Sequence, residues 1–245
     1  MIFEIISIIA FVQGLLLVII GLMFLTKDVH EYVNQLLATS LVLLGLVSIC
    51  YSATFYAEWF LLFADYLMYL AYPVGTALFF VTGITIIKGE RTGKSWKLLL
   101  PVFAIATLPF LLQLLLGPPT YFEEEVLGET FLNTVTNPIV ETAFLFTYIL
   151  FLFGGIFYFL ETYAELTGLA RFKIQHFIIG MGMMGFFTIV VSLTYLLEMR
   201  ELANIVLLTI LPLGFTVGSI IIIRGMTKKS DVSTSIPGIP ATIGE

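Results

Sequence analysis

The chain has 245 residues, of which 59% are hydrophobic and 11% charged, with a formal net charge of −6. Soluble domains carry about 25% charged residues, so a globule exposed to water on all sides is excluded. With no basic patch interleaved with aromatics, nucleic acid is excluded as a partner, and the single cysteine, Cys50, leaves no intramolecular disulfide to read.

The first apolar run covers residues 3–25. It holds no Lys or Arg and is longer than the apolar stretch of a signal peptide, so it is expected to stay as a first membrane span. A helix needs roughly 20 apolar residues to cross a hydrocarbon core about 30 Å thick. Further runs of that kind cover 34–55, 60–87, 97–116, 138–160, 174–197 and 203–223. Backbone groups cannot stay unpaired in lipid, so all seven are predicted as helices. No long period-two alternation points to a barrel. The expected fold class is all-α: a polytopic membrane protein whose residues 1–225 form a seven-helix transmembrane bundle, surrounded by the lipid bilayer of the cell membrane. Residues 226–245, with Pro237, Pro240 and several Ser and Thr, read as a short disordered cytoplasmic tail. Pro73 and Pro212 are expected hinges of the third and seventh spans, and Pro109 a kink in the fourth.

Orientation follows from Lys and Arg near the span ends. With the N-terminus outside and the C-terminus inside, Lys27, Lys88, Arg91, Lys94, Lys97, Arg171, Lys173, Arg224, Lys228 and Lys229 are all cytoplasmic, and only Arg200 is external. The longest connection, 117–137, is then external; it carries Glu123, Glu124, Glu125 and Glu129 and no base. Two readings of it stand: a solvated linker, or a segment that lies on the membrane surface or folds over the bundle as a lid.

Ionisable groups inside a membrane are costly and by default mark function. Asp65 lies six residues past Trp59, about 9 Å into the span at 1.5 Å per residue. Tyr69, Tyr72 and Thr76 follow at helical spacing on the same face. Glu141, Phe144 and Tyr148 repeat that pattern in the fifth span. Ser192 and Tyr195 lie at similar depth in the sixth, and Thr209 in the seventh. Asp65, Tyr69, Tyr72, Glu141, Tyr148, Ser192, Tyr195 and Thr209 together are the candidate lining of a cavity open to the outside, suited to a cationic or hydroxyl-bearing ligand. The alternative is structural: Asp65 pairs with Arg200 or accepts from Tyr hydroxyls, and Glu141 sits at a helix N-terminus favoured by the dipole.

Gln13, near the middle of the first span, is expected to bond a neighbouring helix. Gly214 and Gly218 have the spacing of close helix contact, as do Gly180, Gly182 and Gly185; internal packing or a homo-oligomer contact would use them. The third span's Pro73-Val74-Gly75 has a counterpart in Pro212-Leu213-Gly214 of the seventh. That fits a parallel repeat of three helices around a linking fourth, although chance likeness of two Ile-rich spans is the simpler reading. No catalytic motif, metal cluster or cofactor fingerprint is present in the sequence, so the expectation is a non-enzymatic protein without cofactor or metal. A retinal protein would need a lysine within 203–223, and there is none.

Arg171-Phe-Lys-Ile-Gln175-His-Phe-Ile-Ile-Gly180 resembles the entry to the sixth helix in the seven-helix N-terminal sensor region of membrane histidine kinases, where a basic stretch, a Gln and a Gly open that helix. Leu211-Pro212-Leu213-Gly214-Phe215, followed by Ile223-Arg224, resembles that family's last helix. The resemblance covers about a fifth of the chain. It implies an outward-facing sensor that passes a signal to a cytoplasmic effector. The residues after Arg224 are too few for a PAS, kinase or cyclase domain, so the effector would be a separate cytoplasmic or membrane partner. The expected function is therefore a receptor-like or sensory module. The rivals are a small transporter with the parallel three-helix repeat and a structural subunit of a membrane complex.

Overall fold

Apolar runs of this length satisfy their backbone in lipid only as helices, and the computed structural model of the chain is helical along each of them where it describes them. It describes residues 2–27, 29–54, 60–126, 129–197 and 211–227. The helices are α1 (Ile2–Lys27), α2 (Tyr32–Thr54), α3 (Leu61–Lys88), α4 (Glu90–Gly93), α5 (Trp96–Ala106), α6 (Leu108–Leu116), α7 (Pro138–Glu165), α8 (Gly168–Leu196) and α9 (Leu211–Thr227). Between α6 and α7 lies an antiparallel hairpin of β1 (Thr120–Val126) and β2 (Glu129–Val135), in a register that pairs Thr120 with Val135 and Val126 with Glu129.

Among the described residues six helical segments are long and apolar enough to cross a membrane, with Leu213–Thr227 a shorter apolar helix. The predicted seventh span begins at residue 203, and 203–210 lie outside the described residues, as does the predicted tail from 228 on. The fourth predicted span is two helices rather than one: α5 and α6 join at Thr107, two residues before Pro109. Proline has no N–H for the carbonyl four residues back, and its ring crowds that carbonyl. Pro73 lies within a continuous α3, and Pro212 is the second residue of the described α9, so a bend above Pro212 would fall outside the described residues.

Burial runs opposite to that of a soluble protein. Phe146, Phe153, Phe157, Phe186, Leu213 and Ile220 are exposed, while Ser40, Ser48, Asp65, Thr76, Gln113, Thr147 and Ser219 are buried. An apolar outer surface is what lipid solvates, and polar groups turned inward are what it demands. The protein is membrane-embedded.

Small residues set the closest helix contacts. Along α1, Ser7, Gly14 and Gly21 recur every seven residues, and along α2 so do Ala38, Gly45 and Ser52. The two rows meet in opposite directions. The Ser7 hydroxyl donates to the Ser52 carbonyl at 2.9 Å, a Cβ on Gly14 would stand 2.5 Å from the Gly45 carbonyl, and one on Gly21 would stand 2.9 Å from the Ala38 carbonyl. Backbones come this close only where side chains are absent or tiny. On the far side, a Cβ on Gly218 would stand 2.8 Å from the Gly180 carbonyl, and Gly214 abuts Phe187. Gly214 and Gly218 thus pack against α8 of the same chain, leaving neither free for a homo-oligomer contact.

The helices close into a ring. α1 packs on α2, α2 on α3, α3 on α7, α7 on α8, α8 on α9 and α9 back on α1, with α5 and α6 applied outside against α3 and α7. α3 and α7 run parallel: Tyr69 meets Phe144, Tyr72 meets Tyr148, Phe79 meets Gly155 and Gly83 meets Tyr158, each partner 75 or 76 positions further along. The bundle therefore has a hairpin end and an opposite end. At that opposite, basic end stand all eight described Lys and Arg: Lys27, Lys88, Arg91, Lys94, Lys97, Arg171, Lys173 and Arg224.

Candidate functional site

The hairpin end of α3 presents Asp65, Tyr69, Tyr72 and Thr76 inward, as their three- and four-residue spacing requires. Asp65 is 6% and Tyr69 1% exposed. α7 begins at Pro138 because the Asn137 side chain caps it, accepting from the Ile139 N–H at 2.9 Å. That start puts Glu141 in the first turn, where the exposed N–H groups favour a carboxylate.

The parallel register of α3 and α7 brings these acids together. The Tyr69 hydroxyl donates to Glu141 Oε1 and lies 2.9 Å from Thr136 Oγ1. Asp65 lies one helical turn before Tyr69 on the same face of α3, so its carboxylate and that of Glu141 share the hairpin end of the bundle. Among the described residues no base pairs with either. The pairing of Asp65 with Arg200, one of the sequence readings, involves a residue outside the described set. A ladder of rings descends from the acids: Tyr69 against Phe144 at 5.4 Å, Phe144 against Tyr72 at 6.4 Å, and Tyr72 against Tyr148 at 6.2 Å, all edge to face. Ser48 of α2 lies beside the Tyr72 side chain, and Thr188 of α8 beside that of Tyr148.

The hairpin lies on top of the acids. Tyr121 Oη stands 3.5 Å from Asp65 Oδ2 as its donor, and Thr136, just past β2, touches Tyr69. Burial first, and then the adjacent Asp65 carboxylate, push the Tyr121 phenol above its ordinary range, so it stays a donor at neutral pH. Of the two readings of the 117–137 connection, a plain linker therefore gives way to an ordered hairpin seated on the bundle. Tyr121 of the hairpin covers Asp65.

The other predicted lining residues are placed less fully. Ser192 and Tyr195 lie on α8 with their side chains outside the described set, and Thr209 lies outside it altogether. Gln13 reaches across to α9, where its Nε2 donates to Thr216 Oγ1 at 3.3 Å. Two buried polar groups escape the sequence reading. Gln113 on α6 donates to the Gly117 carbonyl at 2.9 Å, and its Oε1 has no partner; neither does Thr147 Oγ1, one turn past Phe144 on α7. A lone Gln in an apolar helix is the signal that could have marked the first.

The chain matches no protein-family model, and no curated protein matches it at a significant level.

Below Tyr72 and Tyr148 the interior turns apolar. Phe79 and Phe159 stack at 4.8 Å, Phe177 leans on both at 5.7 and 5.3 Å, and Leu17, Leu41, Met181 and Ile222 fill in around them. The polar half is thus closed at its base by packed side chains and at its top by the hairpin.

Proposed function

We propose that this protein is a receptor-like seven-helix membrane module, N-terminus outside, that senses a small organic cation at Asp65 and Glu141 and signals through a separate partner. The observation that carries the reading is a buried carboxylate, Asp65, one helical turn from the tyrosine that holds the half-buried Glu141, without a described base and above a ladder of aromatic rings. Like charges so placed are relieved by a shared proton or by a cation, and carboxylates with ring faces are what an ammonium group seeks. The apolar plug in the basic half fits a site that receives a ligand better than one that passes it through. A ligand shifts a conformational equilibrium only by its differential affinity for the two states. Here the states differ in whether the hairpin is seated on Asp65 and how α3 and α7 meet. The likeness of 171–180 and 211–224 to the sensor region of membrane histidine kinases agrees with this direction of signalling.

The test is thermal unfolding in lipid nanodiscs with tetramethylammonium and choline as probes. Either ion should raise the wild-type midpoint, and Asp65→Asn should abolish the rise while still folding. A rise equal in both proteins contradicts the reading. The topology is tested separately in sealed vesicles, in a Cys50→Ser background. Lys94→Cys and Lys228→Cys should label only from the cytoplasmic side and Glu124→Cys only from outside; labelling of position 94 from outside overturns the orientation.

A transporter is the second reading, and one observation favours it. Gly75, in Pro73-Val74-Gly75, seats against Ser40 and Leu44 of the helix before it, and Gly214, in Pro212-Leu213-Gly214, seats against Phe187 of the helix before it. That matched packing suits two three-helix units. Uptake of labelled choline into proteoliposomes, lost in Asp65→Asn, would select transport over sensing.

A further inference from the structure

At the basic end, α1 and α8 come together through Phe24 and Phe177, whose rings meet edge to face at 6.0 Å. Phe177 belongs to the packed interior of the bundle, and the partly buried Phe24 packs against it. Lys27 is one turn beyond Phe24 on α1, with its ammonium 5.3 Å from that ring's centroid. Lys173 is one turn before Phe177 on α8. α8 runs opposite to α1 across this contact, so both steps lead outward, to the mouth of the bundle. The two lysines therefore stand on neighbouring helices at the same level of that mouth. His176, one turn along α8 from Lys173, donates from Nδ1 to the Phe172 carbonyl at 2.9 Å, which leaves Nε2 for another partner. α9 closes the third side: a Cβ on Gly225 would stand 2.6 Å from His176 Cβ and 3.4 Å from the Lys173 carbonyl, and the exposed Arg224 precedes it.

Three of the other basic side chains at this end are already engaged. Lys94 pairs with Glu90 and lies over Tyr32, Lys88 lies over Tyr158 and Arg171 over Tyr163. Lys27 and Lys173 have no ion pair with any described carboxylate. Glu31 holds Asn34 at 2.8 Å, and Asp28 lies outside the described residues. Two ammonium groups from distant parts of the chain, on an apolar floor with an imidazole beside them, make a poor contact for each other and a good one for an oxyanion that bridges them.

We infer that Lys27 and Lys173, with His176 beside them, bind a phosphate group at the basic mouth of the bundle. The phosphate belongs either to a soluble anion or to an anionic phospholipid headgroup; the chemistry is the same, and basic pockets between membrane helices take such headgroups. This site is independent of Asp65 and stands or falls apart from the sensory reading.

The experiment has two arms, both on the full chain in nanodiscs. In the first the bilayer is neutral phosphatidylcholine and inorganic phosphate is titrated against chloride at matched ionic strength. In the second the bilayer contains phosphatidic acid in phosphate-free buffer, and retained lipid is counted by native mass spectrometry. Saturable binding in the first arm identifies a soluble anion, and binding only in the second identifies a headgroup. In whichever arm binds, Lys27→Gln/Lys173→Gln should weaken binding at least tenfold. Lys27→Arg/Lys173→Arg should retain it, and Lys97→Gln, at the same end on another helix, should leave it unchanged. Should the double variant fail to fold, Lys27→Gln alone, at an exposed position, is expected to lose about fivefold. No binding in either arm, or equal losses for Lys97→Gln and Lys27→Gln, overturns the inference.

Discussion

The two halves of this bundle use the same helices to opposite ends. In the basic half, α3, α7 and α8 contribute Phe79, Phe159 and Phe177, and the interior is filled by stacked rings and branched aliphatics. In the hairpin half the same three helices contribute Asp65, Glu141, Tyr148 and Thr188, and the interior is polar, hydrogen-bonded and covered by a β-hairpin. A membrane bundle has no hydrophobic force holding its helices together, since lipid is as apolar as the core. Stability must come from close packing, which the basic half and the α1–α2 seam supply. The hairpin half is then free to carry groups that cost stability and bring chemistry.

The comparison can be broken at either end. The largest loss is expected from Phe79→Ala, which opens a cavity in the packed half. About 3–5 kcal/mol should disappear from unfolding measured in detergent micelles, while the stabilisation that tetramethylammonium adds to the remaining folded protein stays the same. Next is Gly45→Val, whose new carbons meet the Gly14 carbonyl at the seam; overpacking of this kind costs about 1–3 kcal/mol. Gly182→Ala is its control, because nothing lies within 4 Å of a Cβ there, and the helix should gain up to about 1 kcal/mol. Tyr69→Phe removes the donor to Glu141 and should cost about 1–2 kcal/mol; unlike Phe79→Ala, it should also weaken the cation response. The smallest effect is that of Tyr121→Phe. Its bond to Asp65 is long, at 3.5 Å, and the expected loss is below about 1 kcal/mol. Amide exchange in 120–126 should nonetheless accelerate, reporting an unseated hairpin.

How much of this could be read from the sequence depends on distance along the chain. The spans follow from uninterrupted apolar runs, and the shared face of Asp65, Tyr69, Tyr72 and Thr76 from spacing within one helix. The break at Pro109 follows from proline's missing N–H. The meeting of Tyr69 with Glu141 and of Tyr121 with Asp65 could not be read, because the partners are 72 and 56 residues apart and only tertiary packing joins them. The hairpin was obscured by the run Glu123 to Glu125, which looks like a solvated linker, although Tyr121, Phe122, Val126, Thr130, Phe131 and Val135 are good strand formers around Gly128. The small residues of the α1–α2 seam recur every seven positions, so Gly14 and Gly21 do not show the four-residue spacing that marks Gly214 and Gly218.

The contrast between the halves is tested most directly by the reactivity of single cysteines along α3, in a Cys50→Ser background and with a cationic thiol reagent, (2-trimethylammonium)ethyl methanethiosulfonate, added from the hairpin side. Tyr72→Cys should react as the hairpin lifts, at a rate that falls about tenfold with Asp65→Asn, the effect of roughly 1.4 kcal/mol of lost attraction, and that free tetramethylammonium also slows. Phe79→Cys, two turns deeper, should remain unmodified over the same time. Equal rates at the two positions, or a rate at Tyr72→Cys indifferent to both Asp65→Asn and tetramethylammonium, would contradict a cation-attracting site closed at its base.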